Sequence, residues 1–327
     1  MERNNRNVSI EGLRGWLMFW IVLFHYTSRY AELFSVEVPF LVEHVRASIS
    51  AFFFISGYFL GKTLLNSDRR GVLKFAVDKY WRLYPAYAIS VLIIFIATSY
   101  YGLYGRQVSI VDFLVNMVFI CHPGFDYVDG AHWFISDLIK IQIALGFSLL
   151  LKKEFRGNLF FCFAIIFTCL ALLNEGGIFE NKWIQRLYFF GSIKSFQAVL
   201  LGICLYMIQL NKSKKLMLMT LIMLLVASIV DSPLFLLCAA IFICLVMPSR
   251  IKNMLEHSHI FTNKVIVFIG KFSFCWYLIH QNIGYIILQQ MPNYYVGLSI
   301  ALVSTLLLSI LIMKVVSIFP KKLTVCK

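Results

Sequence analysis

Arg14 and His25 stand in one otherwise apolar stretch, Glu11-Gly12-Leu13-Arg14-Gly15-Trp16-Leu17-Met18-Phe19-Trp20-Ile21-Val22-Leu23-Phe24-His25-Tyr26. A charged or titratable side chain inside a membrane helix is expensive to place and marks function by default. The spacing is close to three helical turns of about 3.6 residues, so both side chains project from nearly one stripe, about 16 Å apart along the axis. An imidazole, with an ordinary pKa of about 6.5, can take a proton from a hydroxyl near neutral pH. An arginine offers a permanent, fork-shaped donor to phosphate or carboxylate. Each also has a plain alternative: a histidine satisfied by a neighbouring carbonyl or hydroxyl, and an arginine snorkelling to the headgroups.

The elements that must position this pair are membrane helices. With 60% hydrophobic residues, only 14% charged and a mean hydropathy of +0.79, the 327-residue chain departs from the composition of soluble globules. The pattern predicts an all-α polytopic membrane helical bundle, a single membrane-embedded domain over residues 1–327 with no appended soluble domain. The first apolar stretch reads as a retained helix: it carries an arginine, is too long for a signal core and has no small-residue cleavage site after it. Apolar runs predict about ten spans, near 11–30, 45–64, 84–104, 131–151, 158–174, 188–208, 215–230, 233–248, 265–289 and 296–318. The seventh and eighth, parted by Asp231-Ser232-Pro233, fit either a helical hairpin or one broken helix. The shorter run from Val111 to Ile120, with Asp112 and Asn116, reads as a partly buried helix in an external loop.

Basic residues cluster in alternate loops: Arg69, Arg70, Lys74, Lys79 and Arg82 in one, then Lys152, Lys153 and Arg156, then Lys212, Lys214 and Lys215, then Arg250, Lys252 and Lys264. That asymmetry predicts both termini in the cytoplasm, and it makes the net charge of +14 mainly a signal of topology. Charges scattered over short loops do not form the stripe that nucleic acid requires, so no nucleic-acid partner is expected. The eight cysteines contain no Cys-x-x-Cys pair and fall almost all in apolar runs, which predicts neither a disulfide framework nor a zinc site. His122 and His132 with Asp126 and Asp129 lack a tight ligand spacing, and no metal is expected there.

Several segments together carry a resemblance: Ser9-Ile10-Glu11-Gly12-Leu13-Arg14-Gly15, the Arg14-to-His25 spacing, Phe52-Phe53-Phe54-Ile55-Ser56-Gly57-Tyr58, Lys79-Tyr80-Trp81-Arg82-Leu83-Tyr84-Pro85, His132-Trp133-Phe134-Ile135 and Ser273-Phe274-Cys275-Trp276-Tyr277-Leu278-Ile279-His280. In order and span count the chain resembles the acyltransferase-3 family of integral-membrane O-acyltransferases. It departs from the family pattern in having Lys79 and Arg82 where arginine more often stands at both ends, and Asp137 where relatives often have glutamate.

The resemblance implies transfer of an acyl group, usually acetyl from acetyl-CoA, to a carbohydrate hydroxyl, with no metal. The expected partners are acyl-CoA, membrane lipids, and a glycan or lipid-linked oligosaccharide such as an O-antigen or other surface polysaccharide, in a bacterial cytoplasmic (inner) membrane. The oligomeric state stays open.

In that chemistry His25 is the expected base, and Arg14, toward the cytoplasmic end, faces the incoming CoA. Lys79 and Arg82, three apart on one helix face, are further candidates for the CoA phosphates. For Arg69 and Arg70, topology alone accounts for the charge. Ser56 and Gly57 fit either close helix packing or a passage for the pantetheine arm. Trp133, Asp137 and Lys140 share a helix face and would orient the site or accept the substrate, or simply form a structural ion pair; His280 divides between packing and orienting a reacting group. Lys194 and Lys271 are embedded cations with no partner evident in the sequence. Phe125, Asp126, Tyr127 and Asp129 suit a sugar or an ordinary amphipathic loop. A glycan or anion transporter, or a chemically silent membrane scaffold, are the alternatives; the paired broken helices of many transporters are not evident.

The loop asymmetry makes a direct prediction. A cysteine introduced beside Lys74 should resist a membrane-impermeant maleimide in intact cells, whereas one in the 105–130 loop should react. Labelling beside Lys74 would reverse the orientation.

Overall fold

The computed structural model describes residues 7–67, 71–103, 105–118, 126–175 and 193–318. In chain order the helices are α1 (Val8–Phe24), α2 (Tyr30–Phe34), α3 (Val45–Asn66), α4 (Val72–Tyr101), α5 (Ile110–Met117), α6 (Trp133–Gly146), α7 (Lys153–Glu175), α8 (Ile193–Asn211), α9 (Lys214–Val230), α10 (Pro233–Val246), α11 (Arg250–His257), α12 (His259–Thr262), α13 (Lys264–Gln290) and α14 (Tyr294–Ile318). A π-helical turn, His25–Arg29, joins α1 to α2, and the 3₁₀ turn Gly130–His132 leads into α6. No strand occurs among the described residues.

The chain is a polytopic helical membrane protein, for which the apolar runs predicted about ten spans. Among the described residues seven helices are long and apolar enough to cross a bilayer, or eight if the bent pair α10 and α11 counts as one. The difference has local causes. Helices α9 and α10 have 17 and 14 residues, and α13, at 27, carries Lys264, Lys271 and the polar run His280-Gln281-Asn282. Helix α4 begins at Val72, well before the predicted start near residue 84, and contains Pro85 within its length. Where the Val111–Ile120 run is described, it forms a short helix, α5 (Ile110–Met117), started by a reciprocal Ser109–Asp112 capping box.

Contacts divide the chain into two units, each described by itself. The first comprises Met1–Val45, Tyr80–Ser136 and Glu256–Lys327. Asn7 caps α1 by accepting from the amides of Ser9 and Ile10. Helices α1 and α13 then touch backbone to backbone, since a Cβ on Gly15 would overlap the Ile266 carbonyl and one on Gly270 the Glu11 carbonyl. They run in the same direction: Arg14 reaches Ser273, and further along His25 meets His280. Helix α14 returns antiparallel, with Tyr294 donating to the Tyr26 carbonyl at its start and Thr305 receiving the Trp276 indole N–H lower down.

The second unit comprises Arg46–Lys79 and Asp137–Leu255. Its α3 and α8 cross at Gly57 and Gly202: a Cβ on Gly57 would overlap the Val199 carbonyl, and one on Gly202 the Phe54 carbonyl. Close packing therefore accounts for the glycine at 57. Lys194, at the start of α8, donates to the carbonyl of Val230 at the end of α9 (3.0 Å), and Gln209, near the end of α8, donates to that of Val246 at the end of α10 (3.4 Å). Helix α10 thus runs back along α9, and the Asp231-Ser232-Pro233 break makes a hairpin.

Arg156, counted in the sequence among topology-setting loop charges, is 1% exposed. Its guanidinium donates to the carbonyls of Leu64 (2.8 Å) and Ser67 (2.7 Å) at the C-terminus of α3, where a cation also suits the helix dipole. Lys194, without an evident partner in the sequence, lies 3.1 Å from Glu175.

The α3–α8 crossing predicts that Gly202→Val lowers stability by at least about 1–3 kcal/mol, the scale of overpacking a close contact. Thermal unfolding of the purified protein measures it, and an unchanged melting temperature would contradict the backbone contact.

Candidate functional site

His25 occupies the junction where α1 ends and the π turn begins. π turns insert an extra residue into a helical turn and recur at functional sites. Here the insertion is held in place by side chains bonding the backbone: Thr27 Oγ1 donates to the Leu23 carbonyl (2.8 Å) and Ser28 Oγ to that of Val42 (2.6 Å). Because α1 stays α-helical as far as Phe24, Arg14 and His25 keep the common stripe predicted for them.

That stripe faces α13. His25 Nδ1 lies 3.2 Å from the hydroxyl of Tyr285, and its ring meets His280 edge-on with centroids 4.9 Å apart. Gln281 Nε2 donates to the same Tyr285 hydroxyl at 3.3 Å. Lower on the stripe Arg14 donates to Ser273 Oγ (3.0 Å) and pairs with Glu11 (3.4 Å), with 29% of its side chain exposed. Side-chain arms from one pair of helices therefore reach both residues singled out by the sequence.

Below His25 the polar groups of α13 are held by residues preceding α6. Asp129, wholly buried, accepts from the amides of Ala131 (2.8 Å) and Asn282 (3.0 Å). His132 Nε2 lies 2.9 Å from the Leu278 carbonyl, Asn282 Nδ2 donates to Val128 (2.9 Å), and the Tyr277 hydroxyl donates to Ala131 (2.6 Å). From the other side the Tyr26 hydroxyl donates to the His280 carbonyl at 2.8 Å. This places His132 and Asp129 on a carbonyl and an amide one helical turn apart, at 278 and 282. Asp129 is wholly buried with both oxygens engaged by these amides, which gives it a part in holding α13 that its grouping with Asp126 and Tyr127 did not anticipate.

The carbonyls also set the tautomers. A carbonyl only accepts, so neutral His280 carries its proton on Nδ1, 2.8 Å from the Tyr277 oxygen, and neutral His132 carries its proton on Nε2. The remaining nitrogens, His280 Nε2 and His132 Nδ1, are buried and have no hydrogen-bond partner among the described residues. One of them, His280 Nε2, belongs to the ring that packs against His25.

The other predicted site residues are distributed differently. Arg82 belongs to the first unit and is exposed on α4; Trp133, half-buried, packs edge-on against Phe134 at 6.3 Å. Lys79, Ser56, Gly57 and Asp137 belong to the second unit. There Lys79 lies over the Phe75 ring at 5.3 Å, and buried Asp137 accepts from Ser195 Oγ at 3.3 Å. Lys271 is exposed. Arg69, Arg70, His122 and Phe125 lie outside the described residues.

Tyr285, Gln281, Asn282 and Arg106 went unremarked in the sequence. The run His280-Gln281-Asn282, three consecutive polar residues in a mostly apolar helix, is the signal that could have found two of them.

Replacing Asp129 with alanine leaves the Ala131 and Asn282 amides without their carboxylate, at about 1–3 kcal/mol for each buried donor. Asp129→Asn keeps one acceptor oxygen and should lose less. Chemical unfolding of both variants tests this, and an alanine variant as stable as wild type would remove Asp129 from the support of α13.

Comparison with known proteins follows the same residues. The family model described as an acyltransferase domain matches residues 7–314, while neither the curated proteins nor the solved structures return a match. The match takes in α1 with Arg14 and His25, the Asp129–His132 turn and all of α13. The chain accordingly belongs to the acyltransferase-3 family of membrane acyltransferases.

Proposed function

We propose that this protein is a membrane O-acyltransferase that takes an acetyl or other short acyl group from acyl-CoA on the cytoplasmic side. It transfers that group to a hydroxyl of a surface polysaccharide or its lipid-linked glycan precursor, in a bacterial inner membrane. The observation that carries the reading is the placement of His25: half-buried at a π-helical junction, held at Nδ1 by Tyr285, backed by His280, and on the same stripe as Arg14.

In the tautomer that carries its proton on Nδ1, donated to the Tyr285 oxygen, His25 presents a bare Nε2. That nitrogen takes the proton of the acceptor hydroxyl as the alcohol oxygen bonds to the thioester carbonyl carbon. Collapse of the tetrahedral intermediate breaks the carbon–sulfur bond, and the imidazolium returns its proton to the leaving CoA sulfur. Arg14, anchored by Glu11 and Ser273 and still partly exposed, supplies a fixed cation toward a CoA phosphate; Arg82 and Lys79 are further phosphate candidates. The pairing with Glu11 offsets part of the Arg14 charge, so its contribution is to orientation as well as attraction.

His25→Gln retains approximate size and hydrogen bonding but cannot carry the proton. It should fold and bind acyl-CoA while acylating the glycan at least about 100-fold more slowly. Near-normal acylation would make His25 structural. In parallel, Arg14→Ala should weaken CoA binding and Arg14→Lys should restore part of it; unchanged affinity in the alanine variant would return Arg14 to a packing and headgroup role.

A further inference from the structure

After α4 the chain turns at Gly102 and Gly105, whose φ values of 67° and 66° favour glycine. The turn delivers Arg106 over the ring of Tyr285, its guanidinium carbon 6.0 Å from the centroid. Gly130 leaves room for it: a Cβ there would lie 2.7 Å from Arg106 Nη1. Arg106 is half-buried, and no carboxylate among the described residues forms an ion pair with it. With Leu33, Gln107, Asp126, Tyr127 and Gly130 it lines a cavity of about 320 Å³, the size of a small-molecule site.

We propose that this cavity holds the acceptor and that Arg106 selects acceptors bearing an anionic group, a carboxylate or a phosphate, beside their hydroxyls. The proposal rests on the acyl-transfer reading and deepens it. A guanidinium partly withdrawn from water without a carboxylate is incompletely compensated, and its planar fork matches either anion in a bidentate pair. Tyr127 offers a ring face, Asp126 an acceptor for hydroxyl protons and Gln107 an amide, which suit the uncharged remainder of a sugar. The cavity is also one side chain from the imidazole. Tyr285, beneath Arg106, is the residue whose hydroxyl lies 3.2 Å from His25 Nδ1. An anion seated on Arg106 therefore holds an acceptor one side chain, Tyr285, away from His25.

The experiment uses the purified full-length protein and three probes: methyl β-D-glucuronide, glucose 1-phosphate and methyl β-D-glucoside. Binding is read by saturation-transfer NMR, and acyl transfer is read separately after adding acetyl-CoA. At least one anionic probe should bind roughly tenfold more tightly than the glucoside, the scale of one charge-assisted contact. Which one does so distinguishes a sugar carboxylate from a phosphate. Arg106→Gln should abolish the preference and Arg106→Lys should retain part of it, with melting temperature and CoA binding reporting the fold; if the glutamine variant does not fold, the lysine variant decides. Equal binding of all three probes to wild type, or an undiminished preference in the variants, would overturn the anion site. An intact preference without transfer to any probe would uphold the site and overturn acyl transfer to these glycosides, so the two readings fail separately.

Discussion

Where Gly15 meets the carbonyl of Ile266 and Gly270 meets that of Glu11, α1 and α13 approach until only glycine fits between them. Lipid tails are as apolar as leucine, so helices in a bilayer gain little from hiding apolar side chains and are held by close van der Waals packing and polar contacts. Everything at the candidate site depends on this approach. A larger residue at either position would push α1 outward, and the short arms from Arg14 to Ser273 and from His25 to Tyr285 could no longer close.

The same constraint explains why α13 can carry polar residues through an apolar environment. A buried donor or acceptor without a partner is costly, more so where water is scarce. From Tyr277 to Tyr285 the chain meets that demand from outside the helix, with Asp129 and His132 on one side and Tyr26 on the other. Four side-chain atoms of this region have no hydrogen-bond partner among the described residues: His280 Nε2, Gln281 Oε1 and Asn282 Oδ1 on α13, and His132 Nδ1 on the turn before α6. Polar atoms left open beside a proposed proton acceptor are where a functional role would be sought.

In the second unit polar side chains serve the helix ends. Arg156 gathers the last carbonyls of α3, Lys194 takes the final carbonyl of α9, and Ser50 donates to Asp231 at the α9–α10 bend. Counting Arg156 as a topology signal and finding it buried are compatible: a cation that remains on one side of the membrane can still be drawn beneath the end of a helix.

Much of this was legible in one dimension. Hydropathy and helical period are local properties, so the sequence was enough for the helical membrane class, the shared stripe of Arg14 and His25, the short α5 and the family. Span count was less legible, because α9 and α10 are too short and α13 too polar for the ordinary run of apolar residues. What lay beyond the sequence was who faces whom: His280 against His25, Tyr285 on its Nδ1, Asp129 turned inward to amides, Gly57 in a helix crossing and Arg106 over Tyr285. These are contacts between segments far apart in the chain, set by how closely two backbones approach, and a helical period specifies the face of a helix but not the partner it meets.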